Sequence, residues 1–189
     1  MSLPAAYRLL HDDATAALCD WLAPDAEQER LAQAFLAALD EHPDALWRDG
    51  PPRHFTASAL VLDEGGERVL LTHHRKAGRW LQFGGHFEPE DLDVHAAASR
   101  EAREESGLGA LELAPGIVAL SAHQLTGSFG RCREHLDIRF AGVAPSGARH
   151  AVSAESHDVR WWPLDALPDD VGEDVPALAH AARRHLGLD

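Results

Sequence analysis

The segment GGHFEPEDLDVHAAASREAREESGL, residues 84–108, places Glu101, Glu104 and Glu105 at i, i+3 and i+4. On a helix, all three would project from one face within about 100° of arc. Like charges at these spacings cost roughly 0.2–0.5 kcal/mol per pair, and Arg100 meets Glu104 at i+4 only in the weaker orientation. A cation outside the helix would relieve the remaining repulsion. Clustered carboxylate oxygens are what hard divalent ions such as Mg²⁺ or Mn²⁺ accept. A solvated helix face is the plain alternative for REAREES taken alone. The flanks favour the ion: Gly84 and Gly85 follow the strand-like RWLQF and let backbone pass close to a ligand or metal.

The 13 histidines raise the question of a second kind of metal chemistry. His73, His74, His86, His123 and His135 scatter over separate strands and loops, and no pair has the helical i, i+4 ligand spacing of a zinc enzyme. Packing and surface roles are therefore expected for them. Cys19 and Cys132 are too sparse for a disulfide framework and read as two ordinary thiols in a reducing compartment.

The elements that must position these groups fit within 189 residues, of which 45% are hydrophobic, enough for one well-buried core. A net charge of −14 offers no grip on a nucleic acid duplex. A phosphorylated small molecule remains a suitable partner if a divalent cation screens the like charges. The sequence has no basic start followed by an apolar run and no stretch of 18 apolar residues, so neither export nor membrane insertion is expected and the location predicted is cytoplasmic.

Leu10, Ala14, Ala17, Leu18 and Trp21 fall on one helical face between residues 9 and 22, and Leu31, Phe35, Ala38 and Leu39 do so between 25 and 40. The breaker Asp49-Gly50-Pro51-Pro52 follows. Residues 1–49 are thus predicted to form a helical extension capping a domain over 53–189, with a dimerisation element, and so a homodimer, or a substrate lid as alternatives. HFTASALVLD and ERVLLTHHR read as strands of a hairpin through Glu64-Gly65-Gly66. Asp93 and Gly107 bound a predicted helix over 94–106 as cap and left-handed stop. GIVALSAHQL, CREHLDIRFAGV and HDVRWWPL are further strands, and 173–186 a closing helix. Without a regular βαβ rhythm, the class is α+β or an α/β sandwich.

Residues 85–108 resemble the Nudix box, in which a glycine and a later glutamate precede Arg-Glu-U-x-Glu-Glu-x-Gly-U, U being a bulky aliphatic residue. Gly85 matches the first glycine, and Arg100, Glu101, Ala102, Glu104, Glu105, Gly107 and Leu108 match the second half, Ala102 being small for its place. Asp91 stands where the first glutamate belongs, and the interval to Arg100 is one residue longer than the pattern. The resemblance covers roughly residues 53–187 and implies an α/β/α sandwich around a mixed sheet, here with a two-helix N-terminal extension.

It also implies hydrolysis of a pyrophosphate linkage in a nucleoside diphosphate derivative. Mg²⁺ or Mn²⁺ would be held by Glu101, Glu104, Glu105 and the Gly85 carbonyl, with Arg100 orienting a box glutamate. Glu105 is the first choice for general base and Glu155, in SAESHDVRWWPL, the second. Arg75 and Arg79 lie where family members often contact substrate, and His86 would face bound phosphates. Gln124 and Thr126 occupy places where two subfamilies carry a proline and a tyrosine, so neither substrate marker is present. A diphosphate isomerase of the same fold, or a non-catalytic nucleotide-sensing or protein-interaction module, are the alternative functions.

Overall fold

The computed structural model describes residues 4–125 and 130–189, so Thr126 lies outside the described residues. Two helices open the chain, α1 (Ala5–Asp20) and α2 (Ala26–Glu41). Helix α1 starts four residues before the apolar periodicity and stops before Trp21, whose ψ of 126° is extended. Asp25 caps α2 by accepting from the Glu27 and Gln28 amides.

Among the described residues the chain then forms a seven-stranded sheet: β1 (Arg53–Leu62), β2 (Arg68–His74), β3 (Arg79–Leu81), β4 (Phe83–Gly85), β5 (Ala119–Gln124), β6 (Glu134–Val143) and β7 (Ser156–Pro163). Helix α3 (Val94–Ser106) lies between β4 and β5, and α4 (Val175–Leu186) closes the chain. The main path runs β3-β2-β1-β6-β5, with β4 on β1 and β7 on β2. Among the described strands, β1 and β6 pair in parallel and the other strand pairs are antiparallel; the expected β1–β2 hairpin forms with Val61 opposite Leu70.

Strand parity divides the core. Phe55, Ala57, Ala59 and Val61 join α1, α2 and α3 in one cluster, whereas Leu60 and Leu62 join Val175, Leu178 and Ala182 of α4 in another. The result is the expected sandwich with helices on both faces. The adjacent Trp161 and Trp162 pack against opposite clusters, and Trp80 is buried edge-to-face against Trp162 at 5.2 Å.

The opening helices are bonded into this framework as well as packed on it. Asp13 of α1 accepts from the Val94 amide at 2.8 Å, adding a cap to the first turn of α3. Gln28 of α2 reaches β5, where its Nε2 donates to the Leu120 carbonyl at 3.1 Å and its Oε1 accepts from the Leu120 amide at 2.7 Å.

Candidate active site

Local sequence decides where α3 begins and ends. Asp93 accepts from the Ala96 amide at 2.6 Å, and Gly107 takes φ 72°, which a side chain disfavours. Val94, Ala97, Ala98 and Ala102 face the core, which fixes the rotation of the helix. Glu101, Glu104 and Glu105 thereby come to line one cavity of about 1110 Å³, together with Gly85, Arg100 and Glu155.

Two glycines allow the close approach. A Cβ on Gly84 would sit 2.4 Å from Ser58 Cβ on β1, and one on Gly85 would sit 2.5 Å from Glu101 Oε1. With no side chain in the way, the Gly84 amide donates to Glu105 Oε2 at 3.0 Å. The short strand β4 starts on the last residue of the strand-like RWLQF and continues through the glycine pair; pairing with β1 creates it.

Arg100 organises the box. Its Nε and Nη2 donate to the two oxygens of Asp91 at 2.9 and 3.0 Å, its Nη1 to Glu101 at 3.0 Å and Glu104 at 3.3 Å, and its Nη2 to the His86 carbonyl at 3.0 Å. Asp91, whose side chain is buried, thus takes the bidentate partner position against Arg100 despite the longer interval that follows. Burial opposes the charged form, but the Asp91 and Glu101 carboxylates outweigh that cost and hold the guanidinium firmly protonated.

One arginine does not neutralise this many acids. Burial pushes the Glu101 carboxyl up to about 7 against the pull of Arg100. Burial, opposed by the Gly84 amide and reinforced by the charges of Glu101, Glu155 and Glu104, pushes Glu105 up to about 8. The excess negative charge and the all-oxygen donor set suit a hard divalent ion.

The remaining expected residues fall in different surroundings. Arg79 lines the cavity, with Glu173 at 3.8 Å as an exposed ion partner. Arg75 does not line it; its Nε donates to the Ser156 carbonyl at 2.9 Å. Glu155 is exposed at the rim. His86 lines the cavity, but its Nε2 lies 3.0 Å from Nε2 of His54. Burial pushes His86 down to about 3 and His135 down to about 4, and lowers His54, so these imidazoles are neutral.

A buried polar wall of the same cavity was not anticipated. Asp137 accepts from Thr56 at 3.0 Å, Ser58 at 2.7 Å and Arg139 Nε at 2.9 Å; Arg139 Nη2 also reaches Asp174, which Ser121 bonds at 3.2 Å. Although burial opposes it, Arg139 holds the Asp174 carboxyl below its ordinary value. Strand register builds this wall in rows: His54, His135 and His123, then Thr56, Asp137 and Ser121, then Ser58 and Arg139, and then the apolar pair Leu60 and Ala141. The available signal was the alternation at 54, 56, 58 and 135, 137, 139, where polar residues take the parity that turns apolar further along each strand.

Among solved structures, a NUDIX-family hydrolase from Clostridium perfringens matches with 26% identity and a TM-score of 0.53, covering 72% of this chain and 99% of that one. The MutT protein from Methanosarcina mazei Go1 matches at 22% identity and 0.57, covering 72% and 96%. The E. coli dihydroneopterin triphosphate pyrophosphohydrolase matches at 16% identity and 0.53, covering 69% and 92%. No curated protein sequence matches. The NUDIX domain family model spans residues 52–184, the stretch that carries the sheet, the glycine pair and the clamped carboxylate helix. By that match and by its fold, the chain belongs to the Nudix family.

Proposed function

We propose that the protein is a metal-dependent hydrolase that cleaves the pyrophosphate linkage of a nucleoside diphosphate derivative. The observation that carries this reading is the convergence of Glu101, Glu104, Glu105, Gly85 and Glu155 on one cavity, with Glu105 buried and Glu101 half-buried beside charges that one arginine leaves unbalanced. Family membership supports it, as does the pyrophosphohydrolase of the same fold from E. coli.

In this reading Glu101, Glu104, Glu105 and the Gly85 carbonyl hold Mg²⁺ or Mn²⁺. The bound ion supplies charge neutralisation at the phosphates and acidifies a water molecule. Arg100, braced by Asp91, fixes the directions of Glu101 and Glu104. Glu105, oriented through the Gly84 amide, keeps its other oxygen for a proton and is the first choice of general base; Glu155 at the rim is the second. Arg79 is placed to meet substrate phosphate; Arg75, which lies off the cavity on the Ser156 carbonyl, and His86, whose Nε2 is turned to His54, are less well placed for the substrate contacts expected of them. We also retain residues 1–49 as an extension to a domain over 53–189, one that adds Tyr7 and Trp47 to the cavity wall.

The decisive experiment incubates the protein with Mg²⁺ or Mn²⁺ and a panel of nucleoside diphosphate derivatives, and follows the phosphorylated products. Turnover of at least one member, absent under chelation, is the expected result. Tight nucleotide binding without turnover of any would overturn hydrolysis in favour of a sensing module.

A further inference from the structure

Four donors that the proposed hydrolysis does not use as ligands converge beside β4. One ligand atom from each of His54, His86, Cys132 and His135 lies within 4.8 Å of all the others. They come from the start of β1, the residue after β4, the approach to β6 and the start of β6. The parallel register sets His54 directly against His135, and the glycine pair delivers His86 to the same place.

Hydrogen bonding aims the lone pair of His54 inward. Nδ1 of His54 lies 2.9 Å from the Pro51 carbonyl, which only accepts, so the ring proton sits on Nδ1 and Nε2 is bare. An imidazole whose other nitrogen donates to a backbone carbonyl is the arrangement that orients metal-bound histidines. That bare Nε2 is 3.0 Å from Nε2 of His86, which in turn is 3.9 Å from Cys132 Sγ. Nε2 of His135 is buried with no hydrogen-bond partner, an omission that buried polar groups rarely tolerate.

These separations bracket those of a coordination shell and need only small side-chain shifts to reach them. Four-coordinate zinc, with bonds of about 2.0–2.1 Å to nitrogen and about 2.3 Å to sulfur, sets ligand atoms about 3.3 Å apart for two nitrogens and about 3.6 Å apart for nitrogen and sulfur. Three imidazoles and a thiol form a donor set that prefers a borderline-soft ion to magnesium.

We propose that His54, His86, His135 and Cys132 form a zinc site, separate from the carboxylate site. Binding converts the Cys132 thiol to a thiolate and releases its proton to solvent. His86 and His135 line the cavity, which gives the ion a way in. The site ties β1, β6 and the residue after β4 to one point. Arg100 already holds the His86 carbonyl, so zinc and the arginine clamp grip the same residue from two sides.

Cobalt is the probe, because tetrahedral Co²⁺ bound to a thiolate absorbs in both the visible and the near ultraviolet. Chelator-stripped full-length protein is expected to take up one equivalent of Co²⁺ with a thiolate band, and Zn²⁺ to displace it. Cys132→Ser should remove the thiolate band, and His135→Ala should weaken uptake by at least about 10-fold, the loss that even an outer-shell partner can give. The double variant Glu101→Gln, Glu105→Gln should leave both bands unchanged. Absence of a tetrahedral spectrum in the unaltered protein, a thiolate band that survives Cys132→Ser, or bands that disappear with the two glutamates would each overturn the proposal.

Discussion

The two proposed metal sites both reach the same cavity and are built in opposite ways. The carboxylates Glu101, Glu104 and Glu105 come from a turn and a half of one helix, and their relative places follow from helical geometry. The imidazoles of His54, His86 and His135 come from three parts of the chain up to 81 residues apart, and only strand pairing brings them together. One group is hard, oxygen-only and charged. The other is nitrogen and sulfur, with neutral imidazoles and His54 buried. A helix thus supplies a site that tolerates change elsewhere in the fold, whereas a site made by register depends on the whole sheet.

The comparison predicts independence, and the largest expected effect tests it. Glu105→Gln should lower metal-dependent turnover by roughly 100-fold or more while leaving the circular dichroism spectrum unchanged. Near-normal activity would remove Glu105 from the chemistry. Asp137→Ala tests the polar wall beside the histidines: it strips Arg139 of the carboxylate bonded to its Nε and should cost about 3–5 kcal/mol in urea unfolding. Cobalt uptake in this variant would then report whether the histidine row survives when the row beside it is damaged.

Asp91→Asn should act at a distance from the ion, by loosening Arg100, and reduce magnesium affinity or turnover by roughly 10- to 100-fold without abolishing it. The smallest effect is one of pH. Glu101 and Glu105 have folded-state values raised to about 7 and about 8, so the folded state binds more protons than the unfolded one. Their contribution favours the fold at low pH and is lost as pH rises from the ordinary carboxylate range through those values. Without added ions, the melting temperature should fall across that window. Magnesium should restore it at the alkaline end, and Glu105→Gln should flatten the dependence. A profile unchanged by that substitution would deny Glu105 its part.

The same contrast explains what could be read from the amino acids alone. Helix α3 was legible to its last residue because Asp93, Gly107 and the alanine face act locally. The β1–β2 hairpin and the opposed Trp161 and Trp162 were legible for the same reason. The strand-like RWLQF contains β3, but the division into β3 and β4 and the extension of β4 through the glycine pair were not legible, since three residues carry too little periodicity and their neighbours define them. The histidines looked scattered because their spacing along the chain says nothing about a parallel pairing of β1 with β6. Asp137 and Arg139 were hidden likewise: a charged pair two residues apart on a strand reads as a solvated edge until both faces prove to be covered.

Gln28 has a consequence for how these molecules meet one another. Strand β5 ends the sheet, and an outermost strand ordinarily offers its amides and carbonyls to any extended chain nearby. The side-chain amide of Gln28 occupies both groups of Leu120, acting as a one-residue decoy strand supplied by the protein itself. Helix α2 therefore guards that border against intermolecular β-pairing. Gln28→Ala would reopen the middle of the border, and the cost would show as concentration-dependent aggregation before it showed as lost activity.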